Sequence, residues 1–275
     1  MPERTTRRRF VNRIGIGGAS LIGIPYLLPQ RAIGSSGAND VVNIALIGSG
    51  VRARQLVANL PAGCRIVAVC DVELPKAEAL KEEIGADWKT YQDYRQLLDK
   101  EPVDGTVHCE CDHNRVLSAI RACQASKDVY VEKPFSLYVT EGRALVTAVR
   151  RYNRICQTGT QARTIGMNQA ALRMIREGKL GKLKSIVCRN YPSRDFYRGG
   201  PSQPIPAGLD WDMWCGQTEL FPYNKAPHRS WGQYLTYAGG LVTFLGAQAY
   251  DMIQGALGTD ETWPVEIWTT GPAGP

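Results

Sequence analysis

Between Val41 and Asp71 an apolar, β-rich run (Val41-Val-Asn-Ile-Ala-Leu-Ile47) feeds directly into Gly48-Ser-Gly50-Val-Arg-Ala53. A second apolar run, Arg65-Ile-Val-Ala-Val-Cys70, ends at Asp71. Few patterns narrow the fold so far. A strand that enters Gly-x-Gly-x-x-Ala, opens a helix and returns as a second strand ending in an acid matches the dinucleotide fingerprint of a parallel βαβ unit. Gly48 permits the tight turn, Gly50 lets backbone approach a pyrophosphate, and Ala53 lets helix pack close to strand. The helix N-terminus offers free N–H groups to the phosphates. Asp71 is the acceptor for a ribose 2′-hydroxyl, which favours NAD, with NADP as the alternative. A tight βαβ turn without a ligand is the competing reading.

Strands and helices alternate after Asp71. Helical spacing covers 73–84, 93–99, 112–126 and 140–152, and strand-like runs cover 103–109, 129–131 and 155–157. That alternation implies right-handed crossovers and a mostly parallel sheet, an α/β doubly wound fold ending near residue 160. Beyond it, 167–177 reads as a helix, 182–189 as a strand, 239–257 as an apolar helix and 265–268 as a strand. Residues 190–235 are rich in Pro, Gly, Trp and Tyr and read as long loops. Trp211, Trp214, Tyr223 and Trp231 suit the wall of a sugar pocket, or equally a loop packing its own aromatics onto the core.

The sequence has 33 Lys and Arg against 26 Asp and Glu, a formal +7. Arg4, Arg7, Arg8, Arg9, Arg13 and Arg31 lie within residues 1–38 with Glu3 alone opposing them, so the remainder is nearly neutral and has no basic field for nucleic acid. Thr6-Arg-Arg-Arg-Phe-Val-Asn12, followed by an apolar Gly-rich run to Leu28, resembles a twin-arginine export signal, with small residues at 35–38 as a cleavage region. The expected partner is the twin-arginine export machinery and the expected location the periplasm or cell envelope. An uncleaved signal would be the sole membrane contact, and a disordered basic tail is the alternative. The eight cysteines are scattered through apolar runs and read as reduced thiols.

Val129-Tyr-Val-Glu-Lys-Pro134 at the end of the fifth strand, with Asp112-His113, Gly159-Thr-Gln161 and Gly239-Gly…Gly246…Asp251, carries a further likeness. The sequence resembles the glucose–fructose oxidoreductase and inositol dehydrogenase (Gfo/Idh/MocA) family from Val41 to about Trp268. The resemblance implies a Rossmann domain (39–160, after a signal and linker at 1–38) followed by an α+β substrate domain (161–275) on an open, mostly antiparallel sheet. It implies hydride transfer between NAD(P) and a hydroxyl carbon of a sugar or polyol. Lys133 then lies by the nicotinamide and the reacting hydroxyl, and an unusual peptide geometry is expected between it and Pro134. Cofactor contacts fall on Gly48, Gly50, Arg52, Ala53, Asp71, Glu110, His113, Glu132 and Lys133. Substrate contacts fall on Trp211, Trp214, Tyr223, His228, Arg229 and Asp251. A homo-oligomer is a further expectation.

Two departures bear on chemistry. Phe244 and Gln248 stand where the family typically has the Asp and His of its acid/base pair. Neither titrates near neutrality. Gln248 retains a hydrogen-bonding role, and His228, or less directly Tyr191, Asp195 and Tyr223, is a substitute base. Three readings follow: an oxidoreductase, an NAD-assisted glycosidase, and a cofactor- or sugar-binding relic. His108-Cys-Glu-Cys-Asp-His113 holds six metal-ligating types in six residues, but four cannot converge without a turn and no second pair has finger-like spacing, so no metal is expected. Family members usually run on past this point, so the second sheet is expected to be truncated or the sequence a fragment.

Overall fold

The computed structural model describes residues 41–188, 195–262 and 264–268. The export-signal segment, Tyr191 and the Gly/Pro tail lie outside the described residues. Six strands form one parallel sheet: β1 (Val42–Ile47), β2 (Cys64–Cys70), β3 (Lys89–Tyr91), β4 (Gly105–His108), β5 (Asp128–Glu132) and β6 (Cys156–Gly159). The strand order is β3-β2-β1-β4-β5-β6. Helices α1 (Val51–Val57), α2 (Leu74–Ile84), α3 (Tyr94–Lys100), α4 (Arg115–Gln124) and α5 (Val139–Arg151) make the crossovers. The strand order reverses between β1 and β4, and the crevice of such a sheet opens at the strands' carboxyl ends there. Gly48 sits at that point.

Both faces of β1 are buried, as parallel sheets require. Leu46 packs with Ala53 of α1 and Ala77 and Leu80 of α2. Its neighbours Ala45 and Ile47 face the other side, with Leu97 of α3. Burial of each larger aliphatic residue in these layers contributes about 1.5–3 kcal/mol. Ala53 is fully buried, so a larger residue there would lift α1 off the sheet. α2 starts with Pro in its first turn and stops at Gly85, whose φ of 67° is left-handed.

After a 3₁₀ turn (Gln161–Thr164) come α6 (Gly166–Arg176), α7 (Trp211–Cys215), α8 (Lys225–Ser230), a second 3₁₀ turn (Trp231–Gln233), α9 (Gly240–Phe244) and α10 (Gly246–Leu257). Three expectations are corrected here. The loops of 190–235 contain the short helices α7 and α8, each begun by an Asx cap, Asp210 accepting from Met213 N and Asn224 from Ala226 N. The single helix expected over 239–257 is broken. Gln248 N donates to Leu245 O at 3.2 Å, not to Phe244 O, which accepts instead from Lys133 Nζ at 2.8 Å. The strands expected over 182–189 and 265–268 are irregular wherever they are described, and no second sheet forms among the described residues. Val187, Val265, Ile267 and Trp268 are exposed, because a β-segment without a neighbouring strand has no ladder to join.

The segment after residue 195 folds back onto the sheet's carboxyl edge. Leu74 N donates to Gly208 O at 2.9 Å, and Asp210 N to Val72 O at 2.8 Å. Glu73 and Leu209 form an isolated antiparallel bridge. These contacts bring α7 and α8 over the crevice.

Candidate functional site

A cavity of roughly 590 Å³ occupies the crevice. Ile47, Gly48, Gly50, Val51, Arg52, Asp71, Cys109 and Glu110 line one side, and Asp210, Asp212, Met213, Trp214, His228, Trp231 and Phe244 the other. At Gly48 the φ is +87°, and a Cβ there would lie 2.8 Å from the carbonyl carbon of Cys109 and the amide nitrogen of Glu110. The turn thus needs glycine twice over, for its conformation and for the close passage of β4's exit.

Asp71 is fixed before any ligand arrives. Its Oδ2 accepts from Ser49 N (2.9 Å) and Ser49 Oγ (2.8 Å), and its Oδ1 from Glu73 N (2.9 Å). A carboxylate has about four acceptor positions, so one on Oδ1 is left for a ribose hydroxyl. The nearby cations are already paired, Lys76 with Glu73 (2.7 Å) and Arg95 with Asp93 (2.8 Å), which leaves no free positive charge for a 2′-phosphate among these groups. Arg52 Nε donates to Glu132 Oε1 at 2.7 Å. Glu132 is buried, and Gly159 makes room for it: a Cβ at Gly159 would lie 2.6 Å from Glu132 Oε1.

The Lys133–Pro134 peptide is cis. Lys133 Nζ donates to Phe244 O and sits 4.2 Å from the centroid of the Phe244 ring. Burial lowers its pKa below the ordinary lysine value, while Asp112 and Glu132 act in the opposite direction. Arg115, which sequence reasoning did not single out, orders these strand ends. Its Nη1 donates to Glu132 O (3.1 Å) and Pro134 O (2.6 Å), and its Nη2 to Glu110 O and to Asp112 Oδ1 (3.2 Å). Asp112 is fully buried, and burial pushes its pKa up to about 6 against the pull of Arg115 and Lys133.

Several expected site residues lie elsewhere. His113 is buried, its Nε2 2.8 Å from Trp214 O, and burial lowers its pKa to about 4; it ties α4's approach to α7 and does not line the cavity. Trp211 and Tyr223 are core. The Trp211 ring stacks on Trp214 at 4.5 Å, its Nε1 donates to Phe221 O (2.8 Å), and Tyr223 Oη meets His228 Nδ1 at 3.2 Å. Of the aromatics proposed as a wall, Trp214 and Trp231 line the cavity. Arg229 pairs with Glu73, and Asp251 pairs with Arg163 at 2.6 Å, so both are engaged outside the lining. Gln248 does not line the cavity either, though its Oε1 is buried without a partner. His228 does line it, with Nε2 3.4 Å from Glu73 Oε2 and not hydrogen-bonded to it. Burial, with help from Arg229 and Lys76, lowers its pKa to about 4, so it is a neutral imidazole and a weak base.

The six residues 108–113 diverge. His108 turns to Thr106 and Ser118, His113 to Trp214, and burial pushes the Cys109 thiol up to about 12.

A family model described as "Oxidoreductase family, NAD-binding Rossmann fold" (GFO_IDH_MocA) matches residues 42–160, and that of the same family's C-terminal alpha/beta domain matches 196–273. The protein belongs to the Gfo/Idh/MocA oxidoreductase family. It is 26% identical over 152 residues to the inositol 2-dehydrogenase of Salmonella typhimurium, covering 55% of this sequence and 45% of the relative. It is 29% identical over 145 residues to the scyllo-inositol 2-dehydrogenase (NAD(+)) of Bacillus subtilis, covering 51% and 42%. The protein thus spans about half the length of the curated relatives it matches. Among solved structures, the WlbA dehydrogenase of Bordetella pertussis in complex with NADH and UDP-GlcNAcA superposes with a TM-score of 0.57 at 16% identity, over 78% of this protein and 55% of that one. Scyllo-inositol dehydrogenase from Lactobacillus casei with bound NAD(H) and scyllo-inositol gives 0.50 at 19% identity, over 56% and 46%. Both likenesses are of fold.

The cofactor of this Rossmann domain is NAD, and the residues present fit it. The Gly48 turn leaves a cradle that a Cβ would fill, no side-chain group caps the first turn of α1, and Asp71 keeps one acceptor free.

Proposed function

We propose that this protein is an NAD-dependent oxidoreductase that moves hydride to or from a hydroxyl-bearing carbon of a polyol or sugar. One observation carries the reading: a single cavity joins the Gly48–Asp71 cradle to a wall of Trp214, His228, Trp231 and Phe244, with Lys133 packed behind Phe244. The dehydrogenase names of the relatives support it, and none of them supports the glycosidase or relic readings.

Bound NAD supplies the hydride acceptor. The protein's own part is to orient substrate and stabilise charge. Lys133 is not itself in the cavity lining, but its ammonium behind Phe244 favours the alkoxide-like form of a hydroxyl held at that wall. Trp214 and Trp231 offer apolar faces to the C–H side of a polyol. With Phe244 and Gln248 at the family's acid/base positions and His228 weakened as a base, turnover should fall short of a fully equipped relative by a factor of about 10²–10⁴.

NADH fluorescence titration of the purified protein tests the cofactor half, and NADH formation over a panel of inositols and sugars tests the substrate half. Binding with slow, Lys133-dependent turnover is expected; absence of NADH binding would overturn the reading. Residues 1–38 are proposed to direct twin-arginine export to the cell envelope. A reporter fused to them should be exported, and R7K/R8K should retain it in the cytoplasm.

A further inference from the structure

Two independent contacts join Phe244 to Lys133. The backbone carbonyl of Phe244, released by the break between α9 and α10, accepts from Lys133 Nζ at 2.8 Å. The Phe244 ring presents its face to the same Nζ at 4.2 Å from the centroid. Trp231 holds that ring edge-on, with centroids 5.6 Å apart and planes at 83°. Carbonyl oxygen and aromatic face both favour an ammonium over a neutral amine, the ring through its quadrupole.

We infer that Phe244 is a positioning residue for Lys133, clamping the ammonium between carbonyl and ring so that lysine serves as a fixed cation at the crevice and not as a base that releases its proton. The inference rests on the oxidoreductase reading for its place in catalysis, but the clamp itself needs nothing beyond this protein's own residues. The charged groups acting on Lys133 are Asp112 and Glu132, which favour its charge, and Arg115 and Arg52, which oppose it together with burial. Phe244 adds to the first set through a carbonyl dipole and a ring quadrupole, neither of which titrates.

The test uses the whole 275-residue chain without cofactor, so that its outcome is independent of NADH binding. Lys133 is acylated by an amine-directed anhydride over a pH series, and the extent of modification is read on its peptide by mass spectrometry. The midpoint of that profile reports the ammonium's proton loss, whereas a change in access alters only the plateau. F244L, which keeps the carbonyl and removes the ring, should move the midpoint to lower pH, raising labelling at a fixed pH below it by roughly three-fold or more. F244W should restore the parent midpoint. An F244L midpoint equal to the parent's would overturn the clamp. A second measurement needs no variant: the Lys133 ε-methylene protons of the parent should be shifted upfield by the ring, and resonances at their ordinary position would also overturn it. Failed NADH binding alongside a shifted midpoint would reject the oxidoreductase reading and leave the clamp standing.

Discussion

Arg229 reaches back across the fold to Glu73 with two hydrogen bonds, Nη2 to Oε1 at 2.9 Å and Nη1 to Oε2 at 3.2 Å. Lys76 shares the same carboxylate. Burial raises the Glu73 pKa, but hydrogen bonds from Lys76 and Arg229 outweigh it and hold the group below the ordinary carboxylate range. Both cations are about 40% exposed, so the cluster is worth much less than a buried pair. E73Q should lower stability by about 1 kcal/mol at pH 7, read as a shift in urea midpoint. A depressed carboxylate stabilises above its unfolded pKa and loses that effect as pH falls, so the deficit should shrink towards pH 4.

Replacing Gly48 by alanine sets a Cβ against the backbone of Cys109 and Glu110 and forces a non-glycine residue into positive φ. The strain should cost about 1–3 kcal/mol in thermal stability. NADH affinity, read by fluorescence, should fall at least ten-fold, since the turn cannot widen without moving the pyrophosphate cradle.

Arg115 serves three carbonyls and a buried carboxylate at once. R115M leaves the buried Asp112 carboxyl and three carbonyls without their donor, and should destabilise the protein by about 3–5 kcal/mol in chemical denaturation. The double variant R115M/D112N should recover part of that loss. Equal stability of the single and double variants would show that Asp112 is not the source of the penalty.

The buried imidazole of His113 has a pKa near 4, below the ordinary 6.5. The unfolded state therefore takes up its proton first as pH falls, and stability present above pH 6.5 is lost on the way to pH 4. His228 acts in the same direction, and Asp112, raised to about 6, partly opposes them because its penalty eases below that pH. H113Q can still donate to Trp214 O. Its loss of stability from pH 6.5 to 5 should be shallower than the parent's by about 1.5 kcal/mol.

The parallel sheet was legible because its signals are local: an unbroken apolar run in β1, a glycine where φ must be positive, an acid at the end of β2. β3 was not, since three residues carry too little periodicity to register. The cofactor half of the crevice was readable for the same reason as the sheet. The other half was not, because its members meet through distant pairing. Nothing in the neighbourhood of Asp251 announces Arg163, and nothing around Trp211 says that it stacks on Trp214 while Trp214 alone reaches the cavity. Arg115 looked like an ordinary cation in a helix's first turn; its worth lies in three carbonyls contributed by two other strand ends.

The contacts of Gly208 and Asp210 with Leu74 and Val72 span well over a hundred residues of sequence. Asp210, Asp212 and Met213 help to enclose the cavity, so the crevice is incomplete until that long loop has closed. Closure of this kind comes late in folding, after the local βαβ units have formed. Whatever binds across the crevice fastens both ends of the loop and adds RT ln(1 + [L]/Kd) to the folded state. The nucleotide, in that sense, is the last piece of the fold to arrive.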